Sequence, residues 1–236
     1  MELELNTDTL SLGQRLSRIF TSPSRVFVDL QRNHSWLAAL LIISSISLVA
    51  ALPLLSKMRE FSIMQLQRMP DNPALSSPEA INLVGTTAVI GTIAGALLMP
   101  LLFALIVALL LKLFNAFTGD KVQYRKLFAV CVYAYLPMLL SCLIALIIGL
   151  TTPVESFGNV STTLYLFFPP DTFTFPAMLA ARIDPFMLWS LYLAALGGAI
   201  LMKSEVKKVG IYVFLIWLIY ALGTSYYGAL KMSTMV

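Results

Sequence analysis

The chain has 236 residues and a net charge of +4, and 58% of its residues are apolar while only 12% are charged. A soluble domain carries about twice that charged fraction, so the composition excludes a water-soluble fold. The apolar residues also gather into blocks near or above the roughly 18 residues that cross a bilayer as a helix. We therefore predict an all-α, polytopic membrane protein.

The N-terminal segment, residues 1–35, has no continuous apolar core, which argues against a cleavable signal peptide. It carries two apolar stripes at helical spacing, before and after Ser22-Pro23: Leu12, Leu16, Ile19 and Phe20, then Val26, Phe27 and Leu30. Arg18, Arg25 and Arg32 are spaced by seven and are predicted to share another face. The pattern favours amphipathic helices in the cytoplasmic interface, with apolar side chains among acyl chains and arginines near anionic headgroups. A docking face for a partner protein is the alternative.

Five apolar blocks without Asp, Glu, Lys or Arg follow this segment. They predict transmembrane helices at about 36–55, 86–111, 127–150, 185–202 and 209–230. Residues 36–230 would then form one transmembrane domain, and residues 231–236 a short tail outside. Ser22-Pro23, Ser77-Pro78 and Asp184-Pro185 are typical of helix starts, because a polar N-cap precedes a proline at the first helical position.

Two features inside the spans predict how the helices bend and pack. Pro100 in the second span and Pro137 in the third each remove a backbone hydrogen bond, which predicts a kink or a hinge. Gly91 and Gly95 form a small-xxx-small motif in the second span, which lets two helices approach closely. The simpler interpretation is that the motif packs against another helix of the same chain. The more specific interpretation is that it forms the seam of a homodimer.

The connecting charges predict the orientation, because Lys and Arg near span ends resist translocation. Eleven basic residues lie on the side of the N-terminus and five on the other. The N-terminus is therefore predicted to be cytoplasmic and the C-terminus outside. Lys121, Arg125 and Lys126 in the second connection should lie at headgroup level, where they would contact lipid or a cytoplasmic partner.

Motifs for chemistry are missing from the sequence. It has no phosphate-binding GxxxxGK[ST] loop, one histidine and no CxxC pair, so we predict no catalytic residue, no metal site, no cofactor and no nucleic-acid partner. Ionisable residues inside spans usually serve ion coupling, and their absence here disfavours proton-driven or sodium-driven transport. Passive conduction, or handling of a lipid or apolar solute, stays open.

Short motifs along nearly the whole chain resemble those of the Yip-domain family, five-span membrane proteins named for interaction with Ypt/Rab GTPases. The resembling stretches are FTSPSRVF at 20–27, GDKVQYRKLF at 119–128, YAYLP at 133–137, IDPFMLW at 183–189 and the basic link at 203–208. The acidic Asp-Leu-Tyr-Gly-Pro stretch of eukaryotic members is absent, so Rab binding is not carried over.

The resemblance implies a bacterial-type member: a non-enzymatic inner-membrane protein that organises the membrane or assists another membrane complex as an adaptor or accessory subunit. Its partners would be membrane lipids, a protein in the membrane or cytoplasm, or a second copy of the chain. Its C-terminus would be periplasmic. A channel or transporter subunit for lipid or a small solute is the alternative.

Overall fold

The computed structural model describes residues 9–68, 77–118, 121–169 and 172–233. Within these ranges the chain forms ten α-helices and short 3-10 turns, without a strand. The helices are α1 Leu12–Thr21, α2 Pro23–Arg32, α3 Leu37–Ala51, α4 Leu55–Gln67, α5 Pro78–Asn115, α6 Tyr124–Ala134, α7 Leu136–Thr151, α8 Phe175–Ala180, α9 Pro185–Met202 and α10 Val206–Ser233. The prediction of an all-α fold is confirmed.

Five helical stretches of the described chain are long and apolar enough to cross a membrane. They are Leu37–Gln67, Pro78–Asn115, Tyr124–Thr151, Pro185–Met202 and Val206–Lys231. They match the five predicted spans in order. The first two are longer than predicted, because α4 continues α3 through the 3-10 turn Leu52–Leu54 and α5 begins eight residues before its apolar block.

Helices α2, α5 and α9 begin at the prolines that the sequence indicates. The Asp184 carboxylate caps α9, since its Oδ1 accepts hydrogen bonds from the amides of Phe186 at 2.8 Å and Met187 at 3.4 Å. Ser77 caps α5 by accepting from the Ala80 amide at 3.4 Å. The Ser22 side chain makes no capping hydrogen bond to α2, so proline alone marks that helix start.

The two intramembrane prolines act differently on their helices. Helix α5 continues through Pro100, and the Ser44 hydroxyl donates a 3.0 Å hydrogen bond to the Leu97 carbonyl one turn earlier. The third span is interrupted at Tyr135, between α6 and α7. Pro137 cannot donate to the Tyr133 carbonyl and its ring crowds that carbonyl, which accounts for the interruption. A hinge at either proline stays a prediction.

The chain packs as two compact units whose boundaries fall within the spans. The first unit is Met1–Ile42, Leu101–Leu136 and Ser190–Phe214. The second unit is Ile43–Pro100, Pro137–Trp189 and Leu215–Val236.

Helix α6 is the core of the first unit, because its residues from Leu127 to Ala134 are all buried. Gly197 of α9 makes this packing possible. A Cβ atom at Gly197 would lie 2.4 Å from Cγ1 of Val130 and 2.9 Å from the Phe27 ring. Glycine is therefore required where α9 meets α6 and α2.

The second unit is joined by polar side chains at the ends of its helices. The Lys57 ammonium donates to the carbonyls of Gly149, Leu150 and Thr152 at 2.9, 2.8 and 2.9 Å. These carbonyls lie at the C-terminal end of α7, where a cation also complements the helix dipole. Lys57 thus fixes the start of α4 to the end of α7.

Gly91 and Gly95 are not used in the same way as Gly197. A Cβ atom at either position would meet no atom of the described chain within 4 Å. Neither glycine therefore provides a close contact with another described helix, and internal packing does not account for the motif. The homodimer seam stays a prediction.

Candidate functional site

The candidate site is built on the helix pair α1 and α2. A reciprocal capping box starts α1: the Ser11 hydroxyl accepts from the Gln14 amide at 3.3 Å, and the Gln14 side chain accepts from the Ser11 amide at 3.0 Å. The chain then breaks at Ser22 and α2 begins at Pro23. Both helices pack against α6.

The apolar stripe of α2 is buried in protein, and that of α1 is buried in part. Ile19, Val26, Phe27 and Leu30 are each 0% exposed, so these four side chains do not lie among acyl chains, whereas Leu12, Leu16 and Phe20 are only partly buried. The physical reason is that α6 and the glycine surface of α9 offer the four buried side chains a close-packed apolar partner. The pair is therefore docked on the transmembrane helices of its own unit.

A buried ion pair joins the two helices. Arg15 Nε lies 2.7 Å from Asp29 Oδ2, and their side chains are only 4% and 11% exposed. The second oxygen of Asp29 accepts a 3.2 Å hydrogen bond from the Leu10 amide. Both oxygens of the carboxylate are thus engaged, as a buried charge requires.

The outer side of the pair carries basic residues, which together with those of the neighbouring connections we call the basic face. Its predicted members are Arg18, Arg25, Arg32, Lys121, Arg125 and Lys126. Arg18 and Lys126 are partly buried and the other four are exposed. Arg25 and Arg32 share a face of α2, but Arg18 lies in α1, because the break at Ser22 interrupts the helical phase.

The first of two cavities on the basic face measures about 280 Å³. We call it the lysine cavity, and it is lined by Gln31, Lys121, Val122, Gln123, Lys126, Leu201 and Lys203. It lies where α6 begins and α9 ends. The structure thus brings the predicted residues Lys121 and Lys126 together.

The second cavity, the tryptophan cavity, measures about 330 Å³ and is lined by Arg32, Asn33, His34, Ser35, Trp36, Leu37 and Arg125. The Trp36 ring meets Phe128 edge-on at 4.9 Å. His34 Nδ1 and Trp36 Nε1 are buried without a hydrogen-bond partner among the described atoms. The structure therefore brings Arg32 and Arg125 together, while Arg18 and Arg25 line neither cavity.

Sequence reasoning missed several residues of these cavities. Lys203 closes the fourth span within a basic link, which was the available signal for it. The sequence gave no signal for Gln31 and Gln123, because a glutamine at the edge of a span is common and does not indicate a site. His34 and Trp36 line the tryptophan cavity with two arginines.

The electrostatics of the first unit favour anions. Its described residues include eleven Lys or Arg and two carboxylates, Asp29 and Glu205. Asp29 pairs with Arg15, and Glu205 accepts from Lys208 at 2.8 Å. The remaining basic side chains create a positive potential that attracts phosphate or carboxylate groups. No cluster of three metal-ligating side chains occurs in the part of the chain that the structure describes.

These features define a class: a polytopic helical membrane protein whose N-terminal amphipathic helices are docked on its own spans and carry a basic face. The family model of the Yip1 domain matches residues 17–227, from the middle of α1 into α10. The chain belongs to the Yip1 domain family. Searches of curated proteins and of solved structures gave no significant match.

Proposed function

We propose that the protein is a non-enzymatic adaptor, which organises the membrane around another membrane complex or serves that complex as an accessory subunit. The basic face is the docking surface in this proposal. Its partner presents an acidic surface, because charge complementarity guides and orients such contacts.

The observation that carries the proposal is the docking of α1 and α2. Ile19, Val26, Phe27 and Leu30 are buried, and the Arg15–Asp29 pair joins the two helices. Arg25, Arg32 and Arg125 are consequently held on a preformed surface. A preformed surface loses little conformational entropy when a partner binds, which suits a docking role.

The orientation and location belong to the proposal as well. The excess of basic residues on the side of α1 and α2 favours a cytoplasmic basic face. The C-terminus would then be periplasmic in a bacterial inner membrane, the location that the family resemblance implies.

The alternative, a channel or transporter subunit for lipid or a small solute, requires a polar cavity near the middle of the membrane. The lysine and tryptophan cavities both lie at the ends of spans, beside Lys121 and Arg32. Their position on the basic face suits the docking of a partner at the membrane surface.

The experiment is extraction of the full-length protein in native lipid nanodiscs, with mass spectrometry of everything that remains bound. The test variant carries Arg25→Gln and Arg32→Gln, two exposed residues of the basic face. The control variant carries Arg68→Gln and Arg182→Gln, two exposed arginines of the second unit.

We expect a protein retained in stoichiometric amount by the wild type and by the control, and lost from the test variant. Equal retention by both variants would place docking elsewhere. A wild type that holds no protein partner would refute the adaptor.

A further inference from the structure

We propose that the apolar turn in the connection before the fourth span, residues 164–168, inserts into the interfacial layer of the lipid leaflet beside it. We call this segment the aromatic turn, and its sequence is Leu-Tyr-Leu-Phe-Phe. Its partner is lipid, at the level of the glycerol groups and the upper part of the acyl chains. The proposal goes beyond the adaptor function and does not depend on it.

The exposed side chains of the aromatic turn are apolar. Phe167 is 76% exposed and Leu166 is 52% exposed, although both belong to the folded 3-10 turn Leu164–Phe167. Phe173 and Phe175, on the stretch that follows, are 40% and 37% exposed. Large apolar side chains exposed next to one another mark a surface that faces a partner or a membrane.

Hydrogen bonds hold the aromatic turn at the start of the fourth span. The Leu164 amide donates to the Ile183 carbonyl at 3.0 Å, and the Thr162 hydroxyl donates to Asp184 Oδ2 at 2.6 Å. Asp184 caps α9, which has 18 residues and is therefore about 27 Å long at 1.5 Å per residue. The hydrocarbon of a bilayer is roughly 30 Å thick, so the Asp184 cap lies at its boundary.

The level of the turn selects lipid as its cover. A 3-10 turn rises about 2 Å per residue, so Phe167 lies only about 6 Å along the turn from Leu164. The lipid that surrounds α9 reaches the same level, because α9 is matched to the hydrocarbon. The exposed side of the turn is therefore continuous with the lipid-facing surface of the spans.

Helix α8 shows which side of the following stretch faces protein. Ala177 and Ala180 are buried, and a Cβ atom at Gly228 of α10 would lie 3.7 Å from the Met178 sulfur. Helix α8 also packs against the aromatic turn. Its small residues are thus turned towards protein, and Phe175 at its start stays exposed like Phe167.

The backbone of the aromatic turn is suited to a layer that is poor in water. The Tyr165 amide donates to Thr163 Oγ1 at 3.3 Å. The Leu166 amide donates to the Thr163 carbonyl at 3.3 Å, and the Phe168 amide donates to the Tyr165 carbonyl at 2.9 Å. Polar backbone groups that are bonded within the protein can leave water at low cost, so insertion needs no further partner for these amides.

Charge in this connection places the turn in the interface and not in the hydrocarbon core. Between Glu155 and Arg182 the sequence has one charged residue, Asp171, which lies outside the described residues. The core would oppose a carboxylate four positions after Phe167. The interfacial layer passes from acyl chains to charged headgroups within roughly 5–8 Å, so it accommodates apolar and charged side chains of one connection.

The test measures the depth of spin labels on the full-length protein in lipid nanodiscs. Each label is attached to one introduced cysteine in a background that carries Cys131→Ala and Cys142→Ala. Collisions of the label with oxygen, which concentrates among acyl chains, are compared with collisions with a water-soluble nickel chelate. The test positions are Leu166→Cys and Phe167→Cys.

Ser156→Cys is the matched control, because Ser156 is an exposed residue of the same connection. Its segment, Val154–Asn159, packs on α4, where Phe157 lies 6.0 Å from Phe61 between ring centroids. Phe61 directly follows the charged residues Arg59 and Glu60, so the control label should face water.

We expect the ratio of oxygen to nickel collisions to be severalfold higher at both test positions than at the control. An equal ratio at Phe167 and Ser156 would place the turn in water and overturn the proposal. Few collisions with either reagent would show that protein covers the turn, as a second copy or another partner, and would also overturn it.

A second variant guards against a label that inserts by its own affinity for lipid. Leu166→Ser with Phe167→Ser removes the apolar area but leaves the backbone hydrogen bonds of the turn. The label is then placed at Phe175→Cys, in the helix that packs against the turn. We expect its ratio of oxygen to nickel collisions to fall when the two serines are present. An unchanged ratio would show that Leu166 and Phe167 do not hold this segment in the leaflet and would refute the proposal.

Discussion

Arg15 and Asp29 form a 2.7 Å ion pair between α1 and α2, whose other buried residues are Ile19, Val26, Phe27 and Leu30. Arg15 lies three residues after Leu12 and four before Ile19, so it occupies the apolar stripe of α1. An arginine in such a stripe needs a carboxylate partner, because an unpaired buried charge is strongly unfavourable. The basic face therefore depends on a pair that lies beneath it.

Asp29→Asn should release the N-terminal helix pair. Removing one partner of a buried ion pair destabilises a fold by about 3–5 kcal/mol, and the loss here falls on the docking of α1 and α2. We expect faster trypsin cleavage at Arg18 and Arg25 in intact membranes, and a lower unfolding midpoint. Glu205→Gln is the control, since its pair with Lys208 is about two-thirds exposed and should contribute less than about 1 kcal/mol. Equal effects of both variants would contradict this role for Asp29.

Gly197→Ala and Gly91→Ala should shift stability in opposite directions. The added methyl group at Gly197 would collide with Val130, and overpacking destabilises by about 1–3 kcal/mol. Gly91 has open space beside it, so alanine should stabilise by about 0.5–1 kcal/mol through lower chain entropy. Thermal unfolding in one detergent measures both. A loss of stability in Gly91→Ala would reveal a contact that the open space does not explain.

The open face of Gly91 and Gly95 predicts self-association through α5. Replacing both glycines with leucine should reduce dimers in dilute vesicles, as counted by single-molecule photobleaching, without lowering the unfolding midpoint. Gly210→Leu with Gly223→Leu is the control, because both of these glycines are also open but lie in α10. An unchanged dimer fraction in the α5 variant would exclude this seam.

Lys57→Met should loosen the end of α7. Methionine keeps the apolar stem but loses three charge-assisted hydrogen bonds, and a bond to a charged group contributes about 1.5–3 kcal/mol. Hydrogen exchange of the Leu150 and Thr151 amides should therefore become faster. Lys207→Met removes an exposed lysine and should leave those amides unchanged. Unaltered exchange in Lys57→Met would show that α7 ends stably without the ammonium.

The charge distribution predicts the topology. Reporter domains fused at the N-terminus and after Ser204 should be cytoplasmic, and one fused after Lys231 should be outside. The reason is the excess of basic residues beside the first two sites. Fusions at all three sites, tested in one strain, give the complete pattern. An N-terminal reporter outside would reverse the orientation and remove the cytoplasmic docking proposal.

The spans could be predicted because the length of an apolar block is a property of the sequence alone. Pro137 likewise predicted a disturbance within two residues of the interruption at Tyr135. The docking of α1 and α2 was not predicted, since an apolar stripe suits lipid and protein equally. Arg15 was the overlooked signal, because an arginine within the stripe implies a buried partner.

The lysine cavity could be predicted only in part. Lys121 and Lys126 follow from their place beside a span. The left-handed backbone of Lys203, whose φ is 48°, could not be predicted, because the usual marker of that conformation is glycine and the chain has lysine there. Tertiary contact between Gln31 and the start of α6 depends on packing that no local pattern encodes.

Helix α5 has 38 residues and α9 has 18, which correspond to about 57 Å and about 27 Å at 1.5 Å per residue. The hydrocarbon of a bilayer is roughly 30 Å thick, so α9 matches it closely. The apolar block of α5 exceeds it, and such a mismatch is relieved by tilt or by a locally thicker bilayer. Lipids beside α5 and beside α9 then experience different thicknesses. The bilayer thickness beside each helix would favour neighbouring membrane proteins whose own spans have the matching length. This selection would act before any side chains made contact.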